Sequence, residues 1–270
     1  MKEDWLYRRI YVDHYEETQL VLEHLVSGIH RLGRTTIPTA RWFFIRYVDH
    51  RGLQVRLRHR AGIEDLAAFE SATDAFLADK DSWPAALRRG YRGSVKSVYE
   101  PETTKYGGRG GVDRAERVFQ DSSDLALSLA AEPEYWHRRF RYAACLTELT
   151  AGLLPPTTRT AFLYNIAWYW CGQSGPEAAA DRHRVRTAAA RSVHTLREGI
   201  HQLRHDAAYE RLERHVALMA ECLTGSRMIT GRQPANLLFH MAHMNNNRLG
   251  IKPIEEAVIA EVLLGDVLAS

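Results

Sequence analysis

In residues 53–58, LQVRLR, apolar Leu53, Val55 and Leu57 alternate with Gln54, Arg56 and Arg58, the period of two expected of a strand that buries one face. Residues 42–47, WFFIRY, are equally rich in aromatic and branched side chains, and Asp49-His50-Arg51-Gly52 supply turn residues between the two segments. The pattern predicts a β-hairpin with one apolar face and one face that carries both arginines. Residues 5–12, WLYRRIYV, and 94–99, SVKSVY, read as further strands. Between the first strand and the hairpin, Leu20, Leu22, Leu25 and Ile29 are spaced as one face of a helix over 18–31. The stretch from Pro101 to Gly111 has one proline and four glycines and is expected to be a loop.

From about residue 112 the periodicity becomes helical and stays so, with breaks at Pro133, at Pro155-Pro156, at Gly172 to Pro176 and at Gly225 to Pro234. Strands gathered early and helices gathered late predict an α+β fold, a mostly antiparallel sheet from the N-terminal half covered by a helix-rich C-terminal half. With no internal repeat and no low-complexity linker, the whole span 1–270 is expected to form a single domain.

Composition narrows the function classes. A chain with 45% hydrophobic and 26% charged residues can build a sizeable core, and 36 basic against 33 acidic residues leave a net charge of only +3. Any positive site must therefore be local, and no direct nucleic-acid partner is expected. Cys145, Cys171 and Cys222 are odd in number and widely spaced, which fits neither a disulfide framework nor a thiolate zinc site. The charged start MKEDWLYRRIYV lacks the apolar core of a signal peptide, and no apolar run is long enough to cross a membrane. A cytoplasmic protein without a membrane partner is expected.

Three constellations carry candidate chemistry. Arg46 on one hairpin arm and Arg56 and Arg58 on the other would form an anion receptor for a carboxylate or phosphate; the competing reading is a solvated strand face. In the loop from Tyr99 to Gly108, paired glycines would let backbone approach a ligand beside Lys105 and Tyr106, although a plain strand-to-helix turn looks the same. In the late helix from Asn236 to Gly250, His240 and His243 share a face and lie near Asn247 and Arg248, so a neutral imidazole there could serve as a general base. Zinc would need a third ligand that the sequence does not flag, and a buried, merely hydrogen-bonded histidine is the other alternative. The aromatic run from Phe162 to Trp170 reads first as core packing and second as a groove for an aromatic or heterocyclic peptide. There is no nucleophile elbow, P-loop, dinucleotide fingerprint or H-E-x-x-H, and no cofactor or metal is expected.

Taken in order, W-F-F-I-R-Y-x-D from Trp42, L-x-V-R-L-R from Leu53, Y-x-P-E-x-x-K-Y-G-G from Tyr99, A-E-R-V-F from Ala115, D-S-S from Asp121 and H-M-N-N-N-R-L-G from His243 resemble the elimination domain of class I lanthipeptide and thiopeptide dehydratases. The resemblance spans nearly the whole chain. It implies an enzyme that expels glutamate from glutamylated Ser or Thr of a ribosomally made precursor peptide, leaving dehydroalanine or dehydrobutyrine, with no cofactor. Its implied partners are that precursor with its leader and a separate tRNA-dependent glutamylating subunit. The resemblance maps the catalytic histidine to His243, and substrate-binding arginines to Arg58, with Arg56 as near neighbour, and to position 105. There this chain has Lys105 in place of the family's arginine, so a bidentate contact becomes a point charge. Arg46, Tyr106 and Arg248 complete the expected substrate-binding set. Thiopeptide pyridine synthases resemble the same fold and join two dehydroalanines in a formal [4+2] cycloaddition, which is the alternative activity. A non-catalytic subunit that binds the precursor is the third.

Overall fold

The computed structural model describes residues 2–37, 41–172, 174–230 and 234–269, with the backbone alone over 225–230 and at 234. The chain divides into two compact units, Met1–Pro133 and Glu134–Ser270.

The first unit is built on a four-stranded antiparallel sheet in the order β2-β3-β1-β4, with β1 at Glu3–Val12, β2 at Arg41–Asp49, β3 at Gly52–Gly62 and β4 at Tyr91–Ser97. The hairpin closes on the pair Asp49↔Gly52, and that register sets every side chain of β2 and β3 on its face. Ile10, Phe44, Val55 and Leu57 share one face and are wholly buried or nearly so. Opposite them α1 (Glu17–Leu20) runs through a π-helical segment, Val21–Val26, into α2 (Ser27–Thr36); the π segment buries Leu22 and Leu25 and α2 buries Ile29, as the spacing predicts.

Helix α3 (Ile63–Ala78) packs on β1 and β3 and buries Leu66, Phe69 and Leu77; no element was expected there. A short α4 (Ala85–Gly90) leads into β4. The expected loop after β4 holds one turn of helix, α5 (Thr103–Tyr106), and the start of α6 (Arg109–Ala130). Helix α6 lies against the edge strand β2, where Ser123 Oγ accepts from the Phe44 amide at 3.2 Å and Asp124 Oδ1 accepts from the Trp42 indole N–H at 3.0 Å.

The second unit is helical among its described residues: α7 (Tyr135–Gly152), α8 (Pro156–Tyr169), α9 (Pro176–Leu203), α10 (Ala207–Thr230), α11 (Pro234–Arg248) and α12 (Pro253–Ala269). Proline opens α8, α9, α11 and α12, where its missing N–H has no intrahelical partner to lose, so the predicted breaks are starts. The expected break at 225–234 is shorter, since α10 runs on to Thr230; residues 231–233 lie outside the described ones. Helix α12 packs on α8, α9 and α7, with Phe162, Ile166, Tyr142 and Leu263 in the core. The three cysteines are buried, and none is in a disulfide among the described residues. Among the described residues no helix is long and apolar enough to cross a membrane.

Candidate active site

The sheet face opposite α2 and α3 carries Arg9, Arg56 and Arg58. Register aligns Phe43, Arg58 and Tyr7 across three strands, and Ile45, Arg56 and Arg9 in the next row. Arg58 is only 7% exposed, and its guanidinium carbon stands 4.4, 5.0 and 5.1 Å from the ring centroids of Tyr7, Tyr99 and Phe43. Among the described residues no carboxylate lies within ion-pair distance of it, and its Nε has no hydrogen-bond partner. Burial pulls its pKa below the usual arginine value, yet a guanidinium stays protonated, so the cage holds a cation by π faces alone. The Tyr99 hydroxyl donates to Glu116 Oε1 at 3.0 Å, which fixes the third wall of that cage. Burial raises the pKa of Glu116 against the pull of Tyr99, Arg41 and Arg60.

The neighbouring arginines differ. Arg56 and Arg9 each reach Asp49 Oδ2 at 3.5 Å, and Arg56 lies over the Tyr47 ring at 3.4 Å. Arg46 corrects the expectation of three convergent arginines. It pairs across the hairpin with Val55, so alternation turns it to the face of Phe44 and Leu57, where it is 2% exposed. There its Nε donates to Thr18 Oγ1 and its Nη2 to Gln19 Oε1, both at 2.9 Å. It braces α1 against the sheet.

Lys105 and Tyr106 form the second half of α5. Tyr106 is buried edge-on against Phe119, which in turn meets Phe43, so α5 reaches the arginine face through a chain of rings. Lys105 Nζ is 3.1 Å from Glu102 Oε2. The turn that follows needs its glycines: Gly107 sits at φ 79° and Gly108 at φ 88°, left-handed values that favour glycine. A Cβ on Gly111 would fall 1.6 Å from the Tyr106 carbonyl oxygen, so that position admits no side chain as built.

In the second unit, His243 Nδ1 lies 2.9 and 3.1 Å from the two oxygens of Glu256, in the first turn of α12. The Trp170 indole N–H, which can only donate, reaches Glu256 Oε2 at 3.1 Å, and its ring packs on the imidazole at a centroid distance of 4.6 Å. Glu256 is 1% exposed, and burial raises its pKa against the stabilising bonds from His243 and Trp170. With Glu256 ionised, Nδ1 of His243 donates and Nε2 carries the lone pair, the arrangement a general base needs. The His243 side chain keeps 21% of its surface exposed.

Glu256 has no motif around it, and its distance of nearly four helical turns in sequence hides it; the one signal is an acidic residue in the first turn after Pro253. Arg248 is 0% exposed, and its Nη1 donates to the Met244 carbonyl at 3.0 Å at the end of α11. Asn245 and Asn246 are buried beside it. Among the described residues no group of three or more His, Cys, Asp or Glu side chains could hold a metal ion, His240 and His243 included.

Among solved structures, the tRNA-dependent lantibiotic dehydratase MibB from Microbispora sp. 107891 is similar at 22% identity and TM-score 0.70, over 98% of this chain. The chain spans 28% of MibB's length. Pyridine synthase TbtD from thiomuracin biosynthesis is similar at 14% identity and TM-score 0.70, over 98% of both chains. TsrL is similar at 12% identity and TM-score 0.62, over 97% of this chain and 95% of its own. At these identities the likeness is one of fold. No curated protein matches the chain. The model of the lantibiotic biosynthesis dehydratase C-terminal family matches residues 5–268, and the chain belongs to that family.

Proposed function

We propose that this chain eliminates glutamate from glutamylated Ser or Thr residues of a ribosomally made precursor peptide. The observation that carries the reading is the buried Arg58 guanidinium, which meets three aromatic rings and, among the described residues, no carboxylate. A cation taken out of water without a counter-ion is costly, and the glutamyl group of the substrate offers the missing carboxylate.

The chemistry needs a base and an anion clamp. His243 Nε2 takes the Cα proton, the freed pair forms the Cα–Cβ double bond, the Cβ–O ester bond breaks, and glutamate departs as its carboxylate. Glu256 is a positioning residue that holds the opposite ring nitrogen as the donor. Arg58, assisted by Arg56 and Lys105 in this reading, steadies the departing charge. The partners in this reading are the precursor peptide and a separate subunit that installs the glutamyl ester.

Lys105 favours a second reading. It is engaged by Glu102 instead of standing free for a glutamyl carboxylate, which suits a pyridine synthase that joins two dehydroalanines in a formal [4+2] cycloaddition. Mass spectrometry of a glutamylated precursor incubated with the protein tests both. Loss of glutamate with appearance of the alkene, slowed by about two to four powers of ten in His243→Ala, is expected for elimination. No turnover of that peptide, with ring closure of an already dehydrated one, would replace it by the synthase.

A further inference from the structure

On the far side of the sheet from the arginine cage, between α2 and α6, a groove with a volume of about 550 Å³ is lined by His30, Gly33, Trp42, His59, Asp124 and Leu127 among others. Ligand sites of small molecules occupy clefts of this size. Its polar groups are unusual for a gap between two helices. His59, on β3, is 2% exposed, packs flat against Trp42 at a centroid distance of 5.8 Å, and leaves Nε2 with no hydrogen-bond partner. His30, on α2, lies on the Trp42 ring at 4.1 Å with its Nε2 3.9 Å from Asp124 Oδ1. That oxygen is the one fixed by the Trp42 indole N–H.

The space in front of His59 is kept by Gly33. A Cβ built there would stand 3.5 Å from His59 Nε2, in ordinary contact, and would fill the approach to that nitrogen. Burial lowers the pKa of His59 to about 3 and of His30 to about 4, so both rings are neutral at neutral pH and offer lone pairs instead of charge. Asp124, raised by burial to about 6, is mostly ionised there and supplies the negative charge. Arg34 also lines the groove, but it is exposed, where water screens its charge. Ile37, Leu127 and the Trp42 ring supply apolar wall beside these acceptors.

We propose that the groove between α2 and α6 is a second ligand site, which takes a primary amine by its ammonium group on Asp124 and the His30 and His59 nitrogens, with the amine's carbon chain against Leu127 and Trp42. Three acceptors suit the three N–H donors of an ammonium ion, and nothing in the proposed elimination uses them. The amine is either a free small molecule or a lysine side chain of a peptide.

The test is a titration of protein carrying isotope-labelled histidine with n-butylammonium, followed by NMR. Saturable shifts of the His30 and His59 resonances are expected, weakened about tenfold or more in Asp124→Asn, which keeps an acceptor for Trp42 but loses the charge. Gly33→Ala, a substitution that a helix interior favours, should weaken binding through the filled space alone. Neutral n-butanol should not compete. A blocked lysine-containing tripeptide that binds more tightly than n-butylammonium would identify a peptide side chain as the source, and weaker binding a free amine. Absent shifts, equal affinity for n-butanol, or full binding by Asp124→Asn would each overturn the proposal.

Discussion

The two faces of the one sheet each bury an arginine and treat it in opposite ways. On the face covered by α1, α2 and α3, Arg46 donates to Thr18 and Gln19 and is part of the packing. On the other face Arg58 is nearly as deeply buried, yet its neighbours are Tyr7, Phe43 and Tyr99, which lend π faces and compete for none of its N–H groups. A satisfied buried cation stabilises its surroundings; a caged one without a counter-ion keeps its donors for an anion that arrives later. Burial alone does not separate the two, and only the partners do.

The sharpest way to break this contrast is to remove each charge at nearly constant volume. Arg58→Met is expected to lower elimination by about two to three powers of ten while thermal stability holds or rises, since an unpaired charge leaves the interior. If the variant unfolds and turnover per folded molecule is unchanged, Arg58 is a structural group like Arg46. Arg46→Met should do the reverse: urea unfolding loses about 3 kcal/mol, because Thr18 and Gln19 are left without their charged donor, and turnover per folded molecule stays as it was. An effect that is smaller per pH unit separates the faces by pH. The His59 imidazole, with its pKa near 3 in the fold against about 6.5 unfolded, binds its proton only in the unfolded chain between those values. Stability should therefore fall as pH drops below about 6.5, by roughly 1.4 kcal/mol per pH unit from this residue, with His30 acting in the same direction and half-exposed Asp124 against it. Urea unfolding of His59→Leu over that range should lack this part of the slope; an unchanged slope would show that the ring is already charged. The smallest change expected is Lys105→Arg, about threefold faster elimination as a fork replaces a point charge, tempered by the Glu102 ion pair. Slower elimination in that variant would detach Lys105 from the clamp.

The strands were legible because each carries alternation or aromatic density between turn residues, and Leu22, Leu25 and Ile29 are buried as their spacing implies. Arg46 was misplaced for a reason that lies in the sequence itself. With the turn closed by Asp49 and Gly52, Arg46 must stand opposite Val55, a residue of the apolar face, so its position on the arm says less than its parity. Helix α3 left a readable trace in Leu66, Phe69, Thr73 and Leu77, which recur at helical spacing behind a charged first turn. The cage around Arg58 was beyond sequence reading, because Tyr7 and Tyr99 come from strand β1 and from beyond β4 and meet only through register and the Glu116 tether. The same holds for Glu256, whose partnership with His243 depends on how α12 returns along α11 within the second unit.

The bond from Phe44 to Ser123 has a consequence for the protein as a solute. Strand β2 is an edge, and its sequence RWFFIRYVD has the aromatic and branched content that recruits foreign strands. Helix α6 occupies that side, its Ser123 hydroxyl taking an amide that a stray strand would otherwise claim. At the opposite edge, β4 carries Lys96 and a glycine at φ 116°, a charged and kinked border that offers a poor template. The onset of fibre formation in this molecule should then be governed by the detachment of one helix: heating or dilute denaturant that loosens α6 would uncover a sticky border well before the sheet itself melts.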